Sequence, residues 1–174
     1  KHRGRKLPVL MSDGLRPTTD RVKETVFNWL MPYINQSNCL DCFAGAGSLG
    51  FEALSRGASQ ITFIELDKAA AAQLSKNKAL LQANDTTIQH TSALSFLANQ
   101  PTEKFDVIFI DPPFRKGLVQ QSINLLENGW LAGNSLIYIE MESENNQLSL
   151  PVNWSLLKEK VAGQVSYRLY QTSP

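Results

Sequence analysis

Asp41-Cys42-Phe43-Ala44-Gly45-Ala46-Gly47-Ser48-Leu49-Gly50 is the stretch whose reading decides the fold. Gly45, Gly47 and Gly50 satisfy G-x-G-x-x-G, with an apolar run over 38–43 before them and a helical pattern over 48–56 after them. The loop therefore reads as a strand-to-helix turn. A purely structural glycine turn satisfies the same pattern. The next apolar run, 60–65, ends on Glu65, where a carboxylate can take both hydroxyls of a ribose. Loop and carboxylate together point to a nucleoside-containing ligand.

Beyond the loop, short apolar runs alternate with amphipathic stretches, the signature of βαβ units and a largely parallel sheet. Strands are expected over 38–43, 60–65, 86–90, 105–110 and 134–141. Helices are expected over 48–56, 68–83, 92–98 and 117–127. The helix over 68–83 mixes Ala69, Ala72, Ala79 and Leu80 with Gln73, Lys76 and Lys78, so it should pack one face and solvate the other. Upstream, Thr18, Thr19 or Asp20 caps a helix carrying Val22, Val26, Phe27, Trp29 and Leu30, and Pro32 marks its end. After Pro151 two strand-like runs, 155–161 and 164–171, meet at Ala162-Gly163 as a hairpin whose edge should be antiparallel to the rest.

A chain of 174 residues with 43% hydrophobic residues buries one good core and leaves little room for a second. Residues 1–174 are read as one α/β domain. Its net charge of +1 neither demands nor excludes a polyanionic partner. The distribution is more telling, because Lys1, His2, Arg3, Arg5 and Lys6 open the sequence and no comparable cluster follows. The chain begins without Met, so this basic arm over 1–15 is expected to continue upstream. Cys39 and Cys42 form a C-x-x-C pair with no second Cys or His pair to complete a zinc site, and they read as buried thiols in a strand. No metal is expected. Neither a signal peptide nor a membrane-length apolar run is legible, so the expected setting is a reducing cytoplasm.

Asp41 chooses between ligands that share the glycine loop. A carboxylate just before the turn would repel a pyrophosphate and attract the ammonium of a methionine moiety, so it favours S-adenosylmethionine over a dinucleotide. The backbone of Phe43, Ala44, Gly45 and Gly47 would then wrap the cofactor. Leu66 is placed to pack on the adenine face. Ser92 and Ala93 are candidates for the adenine edge, although Ser92 fits an ordinary helix N-cap equally well.

Lys104-Phe105-Asp106-Val107-Ile108-Phe109-Ile110 reads as a buried strand running into Asp111-Pro112-Pro113-Phe114. In an open α/β sheet that end faces the same crevice as the glycine loop. An exocyclic amine on a base is a poor nucleophile because its lone pair is delocalised into the ring. If Asp111 and a carbonyl of the Pro112 region accept its two N–H bonds, the lone pair is freed toward a methyl donor. Consecutive prolines stiffen the turn and remove competing N–H donors. Phe114 offers a stacking face for an extruded base. Positioning then supplies most of the acceleration, and no strong general base is needed.

With both motifs placed, the sequence resembles the bacterial 16S rRNA (guanine(966)-N2)-methyltransferase family. The resemblance is carried by Arg3-Gly4-Arg5-Lys6-Leu7, Leu15-Arg16-Pro17-Thr18-Thr19-Asp20-Arg21-Val22, Asp41 to Gly47, Phe63-Ile64-Glu65, Asp111-Pro112-Pro113-Phe114 and the hairpin around Gly163. It implies a Rossmann-like methyltransferase fold, a seven-stranded mostly parallel sheet with an antiparallel last strand and helices on both faces. It also implies S-adenosylmethionine as donor and guanine N2 of 16S rRNA, in the small ribosomal subunit or an assembly intermediate, as acceptor. Thr18 and Thr19 are implied to lie over the methionine end of the cofactor. Where such enzymes commonly carry Asn or Asp near the adenine amine, this chain has Ser92.

Arg3, Arg5, Lys6 and Arg115 are the expected RNA contacts, with Lys116, Lys158 and Lys160 as further candidates at the rim; scattered surface lysines would look the same. Nothing in the pattern suggests a dimer seam, and a monomer is expected. Methylation of an exocyclic amine in DNA or of a glutamine amide would use the same Asp-Pro-Pro turn. A nicotinamide-dependent oxidoreductase would leave Asp41 and Asp111 without a role, and a non-catalytic RNA-binding module would have no use for Asp111 and Phe114.

Overall fold

The computed structural model describes residues 19–113, 116–144 and 147–174. Helix α1 (Asp20–Leu30) starts where Thr19 Oγ1 accepts the Val22 N–H at 3.3 Å. It buries Val26, Phe27 and Leu30 against the sheet, each contributing about 1.5–3 kcal/mol by leaving water. The chain then runs β1 (Asn38–Asp41), α2 (Ser48–Ser55), β2 (Gln60–Ile64), α3 (Lys68–Leu81), β3 (Thr86–Gln89), α4 (Ala93–Leu97), β4 (Phe105–Ile110), α5 (Lys116–Leu126), β5 (Leu131–Glu142), β6 (Trp154–Ala162) and β7 (Val165–Thr172).

These strands form a seven-stranded sheet of order β3-β2-β1-β4-β5-β7-β6. Strands β1 to β5 pair in parallel, and β7 pairs antiparallel with both β5 and β6. The expected hairpin is present, with Gly163 at positive φ in a two-residue loop, the position a type II′ turn gives to glycine. Its placement differs from expectation. The reversed strand β7 sits inside the sheet, and β6, which runs with the other strands, forms the edge.

Helices α1, α2 and α3 cover one face, over a core that includes Phe27, Phe51, Phe63, Phe109 and Tyr138. Helices α4 and α5 cover the other, around Leu97, Ile108, Ile123, Ile137 and Trp130. Two details depart from the sequence pattern. In α3 the buried side is Ala70, Ala71, Leu74, Asn77 and Leu81, while Leu80 is exposed. An alanine tract gives too little polarity contrast to show which side faces in. Strand β5 starts three residues earlier than expected, because Leu131 pairs with Phe105 across a register shift while Asn134 takes a positive φ.

The strand order reverses at β1, which lies between β2 and β4. Crevices at such switch points, outside the carboxyl ends of the strands, are where open α/β sheets bind ligands. The glycine loop follows β1 and the Asp-Pro-Pro turn follows β4.

Candidate active site

The glycine turn is built by its own backbone. Gly45 and Gly47 have positive φ, 57° and 90°. A Cβ at Gly47 would stand 2.5 Å from the Phe51 ring, and one at Gly50 would stand 2.3 Å from the Phe63 ring. Gly50 is needed for close packing of α2 on β2, and Gly47 leaves room for Phe51 of α2 and Leu74 of α3. Gly45 is different, since a Cβ there would meet nothing within 4 Å. Its open side is a cradle where a ligand can approach the main chain.

Glu65 closes the turn. Its Oε1 accepts the Gly45 N–H at 2.7 Å and its Oε2 accepts the Asp67 N–H at 2.9 Å. Both oxygens are thus oriented by amides, and each keeps lone-pair capacity for a hydroxyl donor. Leu66, the next residue, is exposed, and its carbonyl contacts His90 Nε2 at 3.1 Å. Asn77 is buried in α3 and donates from Nδ2 to the Ala46 carbonyl at 3.1 Å, bracing the loop from behind. Sequence reading missed His90 and Asn77, which only the tertiary fold joins to Leu66 and to the glycine loop respectively. An Asn on the apolar side of a helix was the available signal.

Asp41 lies beneath the turn at 1% exposure. Its Oδ1 is buried and finds no hydrogen-bond partner among the described residues. Burial pushes its carboxyl up to about 7, with Glu65 adding to the rise, while backbone N–H groups of Phe43 and Gly50 act the other way. A buried acceptor lacking a donor is costly unless a ligand supplies one. An ammonium group would do so, and it would restore the ionised form. The orphaned oxygen, the open side of Gly45 and the oriented Glu65 together fit S-adenosylmethionine.

Asp111 leaves β4 half-buried, followed by buried Pro112 and half-buried Pro113. Asp41 pairs in register with Phe109, and the Cys42 N–H donates to the Phe109 carbonyl at 3.0 Å. Asp111 is thus two residues beyond the level of Asp41, on the neighbouring strand. The structure brings Asp41, Gly45, Gly47, Glu65 and Asp111 to the carboxyl ends of three adjacent strands, β2, β1 and β4.

Among the other expected residues, Phe43 is half-buried and packs toward the α4–α5 core. The Ala44 N–H donates to the Ile64 carbonyl. Thr19 serves as the N-cap of α1. Ser92 Oγ accepts the Ser95 N–H at 3.0 Å as the N-cap of α4, so only its own proton remains to donate, and Ala93 is buried. Arg3, Arg5, Lys6, Thr18, Phe114 and Arg115 lie outside the described residues. Cys39 and Cys42 are free, buried and directed to opposite faces of the sheet. Burial pushes the Cys39 thiol up to about 12 and the Cys42 thiol higher still. Neither geometry nor ionisation suits them to a joint site.

Among the described residues no group of three or more His, Cys, Asp or Glu could hold a metal ion, and no helix is long and apolar enough to cross a membrane. A cavity of about 370 Å³ opens between α1 and the β6–β7 hairpin, lined by Thr19, Arg21, Val22, Thr25, Val26, Lys160, Ala162 and Tyr167.

A seven-stranded sheet with one reversed strand, a glycine loop after β1 and an Asp-Pro-Pro turn after β4 defines the class of Rossmann-like S-adenosylmethionine-dependent methyltransferases. Within it the chain belongs to the family described as conserved hypothetical protein 95, whose pattern it matches over residues 1–171. It is 59% identical to ribosomal RNA small subunit methyltransferase D of Escherichia coli K12, over 97% of this chain and 85% of that protein. The Haemophilus influenzae protein of the same name is 61% identical, over 97% of this chain and 89% of its own length. Among solved structures, the putative methyltransferase yhhF from Escherichia coli superposes with a TM-score of 0.92 at 56% identity, covering 98% of this chain and 93% of that one.

Proposed function

We propose that this protein transfers a methyl group from S-adenosylmethionine to the exocyclic N2 amine of a guanine in 16S ribosomal RNA. One observation carries the reading: Asp111, at the end of β4, stands beside the Asp41 and Gly45 crevice on the adjacent strand. Asp41 would hold the ammonium of the cofactor and Glu65 its ribose hydroxyls, beside the open side of Gly45. The cofactor supplies an electrophilic methyl group on a sulfonium. Asp111 and the carbonyls of the Pro112-Pro113 turn accept the N–H bonds of the amine, which turns its lone pair toward that methyl. The new carbon–nitrogen bond would form as the carbon–sulfur bond breaks, leaving a neutral thioether, and the alkylated amine would then pass its proton to the Asp111 carboxylate or to water.

The printed names of the 59–61% identical relatives support ribosomal RNA of the small subunit as the substrate class. Charge near the crevice agrees. Lys158 and Lys160 pair in register with Leu169 and Tyr167 and so share the α1 face of the hairpin, near Arg21. Three cations on one side suit phosphates. Phe114, Arg115 and the basic arm with Arg3, Arg5 and Lys6 are proposed to complete the contact with the base and the RNA, in the small ribosomal subunit or an assembly intermediate, by a monomeric cytoplasmic enzyme.

Small subunits from cells lacking the modification, incubated with the protein and labelled cofactor, should gain one methyl per subunit, recovered as N2-methylguanosine after digestion and mass spectrometry. Label on an adenine or cytosine amine, on protein, or nowhere while the cofactor binds, would overturn the reading.

A further inference from the structure

Three carboxylates stand at one level of the sheet, on three of its strands. Asp41 pairs with Phe63 on β2 and with Phe109 on β4, and Phe109 pairs with Tyr138 on β5. Two residues further along these three strands, on the same face, come Glu65, Asp111 and Glu140. Glu65 and Asp111 have parts in the reaction proposed above. Glu140 has none, although it lies one strand beyond Asp111, about 4.8 Å across the sheet, on the side away from the cofactor half of the crevice.

Glu140 is only 1% exposed. Tyr138, two residues before it on the same face, donates from Oη to Glu140 Oε1 at 2.7 Å. That phenol is buried too. Burial raises its ionisation well above the ordinary range, and the nearby carboxylates of Glu140 and Asp111 raise it further, so it stays a neutral donor. Across β7, Glu140 is in register with Tyr167, a wall of the cavity behind α1. Burying a carboxylate costs folding free energy that an apolar side chain would not. Here the Tyr138 hydroxyl offsets part of that cost and fixes the direction of Oε1.

The bases that carry exocyclic amines differ at the ring nitrogen next to the amine. Guanine presents N1–H beside its N2 amine, two donors side by side, which a carboxylate can accept. Adenine N1 and cytosine N3 present a lone pair at the corresponding place, which a carboxylate repels. The order along the sheet matches the order of the reacting groups: ribose at Glu65, ammonium at Asp41, amine at Asp111, ring at the strand beyond.

We propose that Glu140, aimed by the Tyr138 hydroxyl, accepts the N1–H of the target guanine while Asp111 receives its N2 amine, and that this pair selects guanine among the amine-bearing bases. The assignment rests on the guanine-N2 reading above. Glu140 touches the substrate, and Tyr138 is a positioning residue acting through it.

The discriminating substrate is a small-subunit RNA in which the target guanine is replaced by 2-aminopurine, reconstituted with ribosomal proteins. This base keeps the N2 amine and has a bare lone pair at N1. Wild-type protein should methylate guanine at least about tenfold better in kcat/KM than 2-aminopurine, because the analogue leaves a buried acceptor facing a lone pair. Glu140→Gln, whose amide can donate to the bare nitrogen, should bring the two substrates within about threefold. Tyr138→Phe should narrow the gap in part, and cofactor binding by both variants reports that they are folded. Failure of the wild type to methylate guanine N2 would overturn the underlying reading. Methylation of guanine with equal use of 2-aminopurine by the wild type, or full discrimination kept by Glu140→Gln, would overturn the role of Glu140 alone.

Discussion

The carboxylate of Glu65 accepts the Gly45 N–H at 2.7 Å, joining the end of β2 to the glycine turn that follows β1. With Asp67 N–H on its second oxygen, Glu65 shapes the turn, and it is the proposed ligand of the ribose. In Glu65→Gln one of these amides would face an NH2 group and lose its acceptor. Cofactor affinity measured by calorimetry should fall about tenfold or more, and an unchanged Kd would remove Glu65 from the site.

As the proposed ligand of the ammonium, Asp41 should make cofactor binding depend on pH. Its carboxyl is raised from 3.8 to about 7, so the ligand-free folded state holds a proton that the unfolded chain has already released between those values. Folded-state stability from this group is therefore present in acid and declines as pH rises from about 4 toward 7. The ammonium of the cofactor requires the ionised form, so affinity should rise about tenfold per unit on approaching pH 7. It should fall again above pH ~8, where an α-amino group loses its proton. In Asp41→Asn the rise should disappear, affinity should be low throughout, and the decline in unfolding free energy over this window should flatten. Parallel pH profiles of calorimetry and denaturant unfolding read both effects.

Gly47 and Gly45 separate packing from binding. Gly47→Ala combines a φ of 90° with a Cβ 2.5 Å from Phe51 and 2.8 Å from Leu74. It should cost about 1–3 kcal/mol and lower Tm by roughly 2–12 °C. Gly45→Ala meets no atoms, so its cost should be limited to backbone strain, about 1 kcal/mol, while cofactor affinity drops because the methyl group occupies the approach. Thermal melts with and without cofactor distinguish the two.

Asp111→Ala should lower kcat by a factor of about 100 or more, since the amine loses the acceptor that turns its lone pair. Cofactor affinity should remain near the wild-type value. Turnover equal to wild type would remove Asp111 from the chemistry.

Arg21→Ala and Lys160→Ala act at the rim of the cavity behind α1. Each should weaken RNA binding uniformly across sequences and reduce the slope of log K against log salt by about 1. Binding titrations at several salt concentrations test this, and unaltered slopes would place the RNA elsewhere.

What could be read directly were features whose physics is local. The spacing of Gly45, Gly47 and Gly50 between a strand and a helix, a Thr or Asp cap among Thr18, Thr19 and Asp20, Asp111 ahead of two prolines and Gly163 in a tight hairpin each act through neighbouring backbone. Helix α3 shows where local reading stops, because its alanines left the buried side undecided until Leu74 and Leu81 met the sheet.

The sequence alone therefore determined the class of ligand, through a glycine turn and the sign of the charge at Asp41. Tertiary structure alone decided that β7 enters the sheet between β5 and β6, that Asn77 braces Ala46, and that Glu140 stands one strand from Asp111. The physical reason is that strand pairing joins residues far apart in the chain, and register is set by which faces exclude water together. No spacing along the sequence encodes a neighbour across the sheet.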